Sequence, residues 1–476
     1  MNRRSFIFKT ASAAAFASSY NLLPAQSLGA NERVNIAVIG LQHKGRSLVD
    51  HFMAIPGVRV IALCDVDTKV LDQAAERVPN VKKVQDYRRL LDIQALDAIV
   101  IVTPNHWHAA MTIAACQAGK HVYVEKPVSH CIWEGQQMCA AREKYQRIIQ
   151  SGTQHLSCPS IIDCGRDIRA GVYGKVLWAH CFKINLRQSV GLRRSPLPIP
   201  DHIDYNLWAG PAPMAPIYRE RFHYDWHWDL RWGAGEMGNW GVHYTSDLCN
   251  MLGWSSMPDS VMSAGGRFLW EDAADAPNML FSAMKYQGIP LTVEIRNLTS
   301  AIGSQAMPAH MGMRNGVIIR CENGLLKLSR GGGRAFTPDG KEIIKTYLGN
   351  GGAADHPANF IDAIRADKHS LLNAPIEGGH ISSGICHLAN ISYRLGTQAS
   401  PDEVRSRMPH YENLRATMDA HLHQLAANEA DWSRLKLGPQ LSFDPATETF
   451  TGNDATGANQ LLRYDMRQEF AVPDQV

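Results

Sequence analysis

Residues 34–65 constrain the fold most. Val34-Asn35-Ile36-Ala37-Val38-Ile39 alternates and is β-branched, so it reads as a strand. It runs into Gly40-Leu41-Gln42-His43-Lys44-Gly45-Arg46 and then an apolar-periodic helix through Met53. A second strand from Val58 ends in Asp65, twenty residues past Gly45. Strand, glycine turn, helix and carboxylate-tipped strand is the order that aims a helix N-terminus at a nucleotide phosphate. Gly40 and Gly45 stand as the first and last glycines of the dinucleotide fingerprint, but Gln42 or His43 fills the middle position. A side chain there limits how closely the backbone approaches a pyrophosphate. A carboxylate at Asp65 accepts from ribose hydroxyls and repels a 2′-phosphate, which favours NAD over NADP. The competing role for Asp65 is a helix cap.

The β-α units continue. Ala98 to Val102 is a buried-strand run, Ala109 to Ala118 a helix stopped by Gly119, and Val122-Tyr123-Val124 a further strand. The helix Cys131 to Gln146 and the short strand Arg147 to Gln150 close the unit. This alternation predicts an α/β, doubly wound parallel sheet over residues 34–152. Glu125-Lys126-Pro127 then falls at the carboxyl end of a strand, where such sheets bind ligands. Taken alone it is a solvated strand end; in this order it aims a lysine at the crevice.

Thr103-Pro104-Asn105-His106-Trp107-His108, then Ala118-Gly119-Lys120-His121-Val122, then Glu125-Lys126-Pro127, resembles the Gfo/Idh/MocA family of oxidoreductases. The resemblance extends over roughly residues 34–395. It implies a Rossmann domain followed by an α+β domain with a large, mostly antiparallel sheet, NAD as cofactor, and a sugar or sugar derivative as substrate. It implies that Lys126 lies beside the reacting carbinol. The implied cofactor contacts are Gly40, Gln42, Gly45, Arg46, Asp65, Thr103, Pro104, Asn105, His108, Glu125, Lys126 and Gln154.

The second centre of chemistry lies in residues 224–247. Tyr224, Trp226, His227, Trp228, Asp229 and Arg231 crowd aromatic and polar groups together, as sugar sites do and as cores also can. The family pattern here is Asp-x-Gly-x-His, and Asn239-Trp240-Gly241-Val242-His243 matches it except for the amide at Asn239. An amide binds a hydroxyl but takes no proton. The resemblance therefore makes His243 the base, with an ordinary pKa near working pH. Asn239, Tyr224, Trp228, Arg231 and His155 become expected substrate contacts.

Residues 153–396 carry sheet-like runs at Met279–Tyr286, Leu291–Asn297, Gly316–Cys321, Leu325–Ser329 and Ile343–Tyr347, with Gly331-Gly332-Gly333 read as a turn. One face of such a sheet is expected to pair with a second copy of the chain. Residues 397–476 read as one amphipathic helix, about Pro401 to Glu429, and an extended tail. At the other end, Arg3-Arg4 and the mild apolar run Thr10 to Leu23 resemble a twin-arginine export signal over residues 1–30, which places the protein in the periplasm. That route carries folded proteins with cofactor in place. The ten cysteines include no Cys-x-x-Cys pair and read as buried apolar groups, and no metal site is expected. A net charge of +3 gives no footprint for nucleic acid, and no later run is long enough to span a membrane. The expected activity is an exported, NAD-dependent oxidation or reduction of a sugar hydroxyl with retained cofactor. The alternatives are an NAD-dependent glycosidase and a non-catalytic sugar-binding protein.

Overall fold

The structure, a computed structural model, describes residues 33–476. The segment read as an export signal lies outside the described residues. The first sheet contains β1 (Val34–Ile39), β2 (Val58–Cys64), β3 (Lys82–Val84), β4 (Ala98–Ile101), β5 (His121–Val124) and β6 (Ile149–Ser151). All pairs are parallel and the order is β3-β2-β1-β4-β5-β6. The central strands are buried on both faces, which is why they read as apolar runs. Ile39, Ile101 and Val124 pack on one side, and Val38, Val100 and Tyr123 on the other. The order reverses direction at β1/β4, so the ligand crevice lies at the carboxyl ends of these two strands.

The second sheet contains β7 (Val176–Ile184), β8 (Ser260–Gly266), β9 (Met279–Tyr286), β10 (Ile289–Arg296), β11 (Asn315–Cys321), β12 (Gly324–Ser329), β13 (Gly332–Phe336) and β14 (Ile343–Leu348). β7 and β10 are parallel neighbours and the other pairs among these strands are antiparallel. Short strands β15 (Thr397–Gln398), β16 (Lys436–Leu437), β17 (Leu441–Asp444) and β18 (Thr449–Thr451) extend the β8 edge. One face, with Ala179, Cys181, Val293 and Ile295, packs on the helices Val242–Leu252 and Ile376–Arg394.

Three local expectations need correction. The helix expected at 401–429 is two helices, Pro401–Arg407 and Glu412–Ala427, because Pro409 cannot continue the first. Only Arg330 and Gly331 form the turn after β12; Gly332 and Gly333 pair within β13. β8 was not anticipated, since Ser-Val-Met-Ser-Ala-Gly-Gly has little strand preference of its own.

The outer face of the second sheet is not fully open to a second copy. Leu414, Met418, Leu422 and Leu425 of the helix Glu412–Ala427 cover it against Met262, Phe281 and Ala283. The tail continues onto the first sheet, where Phe470 and Val472 join the core and the Tyr464 hydroxyl donates to Glu134 at 2.9 Å. No helix among the described residues is long and apolar enough to cross a membrane.

Candidate active site

A cleft opens at the carboxyl ends of β1, β2 and β4. Gly40, Leu41, Gln42, Asp65, Thr103 and Pro104 line it. A Cβ on Gly45 would stand 1.9 Å from the Gly40 carbonyl oxygen, and one on Gly40 would stand 2.5 Å from that of Val102. Both ends of the turn therefore require glycine. In the middle, His43 takes a positive φ of 31° and its exposed ring meets Tyr224, 6.0 Å between centroids. Asp65 accepts from the Leu41 amide at 2.8 Å and the Asp67 amide at 3.0 Å. The following helix is capped by Asp67 rather than Asp65. Asp65 thus ties β2 to the glycine turn and, with two acceptor positions unspent, still faces the cleft. Burial pushes its carboxyl pKa up. The glycine cradle, the helix N-terminus at Lys44 and the strand-tip carboxylate fit a dinucleotide.

Residues 186–232 form the far wall. Ile203, Trp208, Ile217, Phe222 and Trp232 give this long connection a core of its own. It is fastened beside Asp65: the Thr68 amide donates to His202 at 2.9 Å, the Asp204 amide to Val66 at 3.1 Å, and His223 lies 3.0 Å from Asp67. Leu207, Trp208, His223 and Tyr224 consequently line the cleft opposite the glycine turn.

Lys126 projects from the end of β5, half-buried. Its Nζ donates to the Asn239 carbonyl at 2.9 Å and to Asn239 Oδ1 at 3.1 Å. Burial pulls its pKa down to about 8; Glu125 opposes this and Arg330 adds to it. Asn239 lies in a π-helical turn, Met237–Gly241, that opens onto the helix Val242–Leu252. Gly238 is required by the turn itself, since a Cβ there would meet the Ala234 side chain at 2.3 Å. Asn239 Nδ2 donates to Glu236 Oε2 at 3.0 Å, while Arg187 donates to Glu236 Oε1 at 2.7 Å. Burial alone would raise the pKa of Glu236, but His227 and Arg187 hold it at about 2. A carboxylate does stand at this site, three residues before the motif position, and it is spent on orienting the amide.

His243 is buried, and the Arg330 Nη2 lies 3.0 Å from its Nδ1 and 3.2 Å from its Nε2. Burial first, then Arg330 and Lys126, drive its pKa well below the ordinary value, so the ring is neutral at neutral pH. Trp240 lies beside it at 5.4 Å between centroids. One turn further on, Asp247 receives His155 Nδ1 at 2.6 Å with both groups buried. Asp247 raises the pKa of His155 against the pull of burial. Among the described residues, His155 Nε2 has no hydrogen-bond partner.

The structure gathers Lys126, Asn239, His243 and His155 at one place, but not every expected contact joins them. Trp228 is buried in a small separate core with Val190 and Ala276, under Arg267 at 4.8 Å. Arg231 pairs with Asp229 at 2.6 Å and lies on Trp232. Tyr224 stands at the cofactor cleft rather than beside His243. His108 is sealed between the carbonyls of Pro127 (2.7 Å) and Thr103 (2.9 Å), so it braces the two turns and is not open to a cofactor. Glu125 is buried under Lys126, 3.7 Å from Lys44. Arg46 is exposed on the first helix, Asn105 opens a short helical turn, and Gln154 is half-buried next to His155. Sequence reasoning missed Glu236, Arg187, Asp247, Lys183 and Arg330. Glu236 was within reach, three residues from Asn239; Arg330 was not, being 87 residues from His243 on a hairpin turn.

The profile described as "Oxidoreductase family, NAD-binding Rossmann fold" matches residues 34–153, and its companion "Oxidoreductase family, C-terminal alpha/beta domain" matches residues 177–265. Among curated relatives, glycosyl hydrolase family 109 protein 1 of Shewanella sp. strain MR-4 is 30% identical over 161 residues, covering 31% of this chain and 34% of the relative. The α-N-acetylgalactosaminidase of Shewanella oneidensis is 29% identical over 161 residues, with the same shares. The chain thus spans about a third of the length of the curated relatives it matches. Levoglucosan dehydrogenase in complex with NADH superposes with a TM-score of 0.58 at 16% identity, over 75% of this chain and 96% of that one. The WlbA dehydrogenase of Bordetella pertussis, in complex with NADH and UDP-GlcNAcA, gives 0.55 at 15% identity, over 76% and 96%. At these identities the likeness is one of fold. The two family profiles fall on the two sheets, in order and on the segments that build the cleft and the His243 turn, and the chain belongs to the Gfo/Idh/MocA family of oxidoreductases, with an NAD-binding Rossmann fold.

Proposed function

We propose that this protein oxidises or reduces a hydroxyl-bearing carbon of a sugar or sugar derivative and keeps its NAD between turnovers. The observation that supports the reading is Lys126 hydrogen-bonded to Asn239 in the turn that runs into the helix of His243, in a molecule whose glycine turn and Asp65 line a cleft suited to a dinucleotide. Bound NAD supplies the hydride acceptor or donor. With a pKa near 8, Lys126 is a cation at neutral pH that parts with a proton more readily than an ordinary lysine. It donates to the substrate oxygen as carbonyl character develops. His243, neutral, takes the hydroxyl proton. Asn239 anchors the hydroxyl and, through Glu236 and Arg187, holds a fixed orientation. The wall formed by residues 186–232 supports retention of the cofactor, and retention suits export of a folded, loaded protein by the twin-arginine route to the periplasm. A second substrate, or return of the hydride within one cycle, then restores the cofactor.

A second reading is favoured by the names of the curated relatives and by His155–Asp247. Glycoside cleavage by transient oxidation and elimination needs one group for the hydroxyl proton and another for the acidified C–H proton. His243 and the Asp247-backed His155 would supply the two. An aryl glycoside assayed for phenol and for ketone separates these readings. For either one, Lys126→Ala and His243→Ala should each lose about 10²-fold or more in turnover with nucleotide content unchanged. Turnover within about tenfold of wild type in both variants would remove the assignment.

A further inference from the structure

We propose that the substrate is an acidic sugar, bearing a carboxylate or a sulfate ester, and that Lys183 and Arg330, gathered on Trp240, bind its negative group. This rests on the sugar-oxidoreductase reading and narrows its substrate class.

The charges around the site do not balance. Arg187 is matched by Glu236 at 2.7 Å, Lys44 faces Glu125 at 3.7 Å, and Asp247 is matched by His155 at 2.6 Å. Among the described residues, no carboxylate lies within ion-pair distance of Lys183 or Arg330. Lys183 Nζ stands 4.0 Å from the Trp240 ring centroid, and the Arg330 guanidinium carbon 5.1 Å from the same centroid. All three side chains are half-buried, so the two cations are partly stripped of water yet still open to an incoming group. Burial, with Arg330, Arg187 and Arg314 nearby, pulls the Lys183 pKa down to about 8 against the effect of Glu236. An oxyanion relieves that crowding, and a guanidinium offers it paired donors in one plane. The phosphates of a dinucleotide do not meet this need. Their cradle is the Gly40–Gly45 turn on the first sheet, whereas Lys183 lies on β7 and Arg330 on the β12–β13 turn of the second.

The same arrangement couples recognition to chemistry. Arg330 donates to the His243 ring at 3.0 Å and so occupies a lone pair that the base needs. An oxyanion that draws Arg330 away frees it. A neutral sugar leaves the base covered.

The test uses the full chain with its nucleotide, titrated calorimetrically with methyl glucoside and methyl glucuronide, methyl galactoside and methyl galacturonide, and glucose and glucose 6-sulfate. At least one acid should bind about tenfold more tightly than its neutral counterpart, with the difference shrinking as salt rises. In Lys183→Met and Arg330→Met the preference should fall below about threefold, and inorganic sulfate should compete in the wild type, a readout independent of how the variants fold. Equal or tighter binding of every neutral partner, or a preference that survives both substitutions, overturns the proposal. Reduction of bound NAD by neutral sugars without acid preference overturns the subsite and leaves the oxidoreductase reading standing. Acid preference without cofactor reduction by any sugar leaves the subsite and removes the activity.

Discussion

In the proposed mechanism Asn239 sets how protons are handled. An aspartate there would compete for the proton and pair with Lys126; the amide does neither and only receives the ammonium at 3.1 Å. In Asn239→Asp a third carboxylate joins Glu125 and Glu236 near Lys126, which raises the lysine pKa. The pH–rate profile should then hold its activity further into the alkaline range. In the wild type, kcat/KM should decline above about pH 8 as Lys126 loses its proton. On the acid side it should persist well below pH 6.5, because His243 stays neutral there. Arg330 is the second cause of that depression after burial, so Arg330→Met should move the acid limb upward, toward the ordinary histidine value. An acid limb that stays in place would show that burial alone sets the ring's charge.

At the scale of elements, the glycine turn and the wall facing it make separable predictions. In Gly45→Ala the new Cβ would meet the Gly40 carbonyl oxygen at 1.9 Å, so the helix must shift off the turn. A loss of about 1–3 kcal/mol in unfolding free energy and loss of nucleotide are expected, read by denaturant unfolding and by absorbance of the released supernatant. Tyr224 is 42% exposed and contributes little to the core. Tyr224→Ala should therefore speed nucleotide loss on dialysis while Tm stays within a few degrees. Slow loss from that variant, with Gly45→Ala also retaining nucleotide, would contradict the placement of the cleft. The turn was readable from sequence because strand, glycine and helix are adjacent in the chain. The wall was not. Residues 186–232 carry no repeating pattern, and their contacts with Val66 and Asp67 join segments more than a hundred residues apart. Trp228 was misjudged for the same reason: aromatic density marks a buried surface but not which buried surface. Lys126 and His243 were legible because each sits in a short motif at the end of an element, whereas Lys183 and Arg330 reach Trp240 only through the pairing of the second sheet.

For the whole molecule, buried histidines set the acid limit of stability. Burial holds His106 at about 3 and His130, His356 and His387 at about 4. These folded-state values lie below the ordinary 6.5, so the unfolded chain binds more protons as pH falls. Their contribution is complete above pH 6.5 and is lost on the way down through about pH 4. Glu134, which burial raises from 4.5 to about 7, acts in the opposite sense and offsets part of this between about pH 7 and 4.5. Tm should therefore fall steeply between about pH 6 and 4, and a flat Tm over that interval would contradict the burial of these rings. The central proposal is that the cleft of the first sheet holds its own NAD and that Lys126 and His243 work with it on a sugar. The most direct measurement is near-ultraviolet absorbance of the purified, undialysed protein as monosaccharides, uronic acids and glycosides are added, followed by denaturation and identification of the released nucleotide. Co-purifying NAD and growth of the reduced-nicotinamide band with at least one sugar are expected. A supernatant with no nucleotide, or bound NAD that no sugar in the panel reduces, would contradict the proposal.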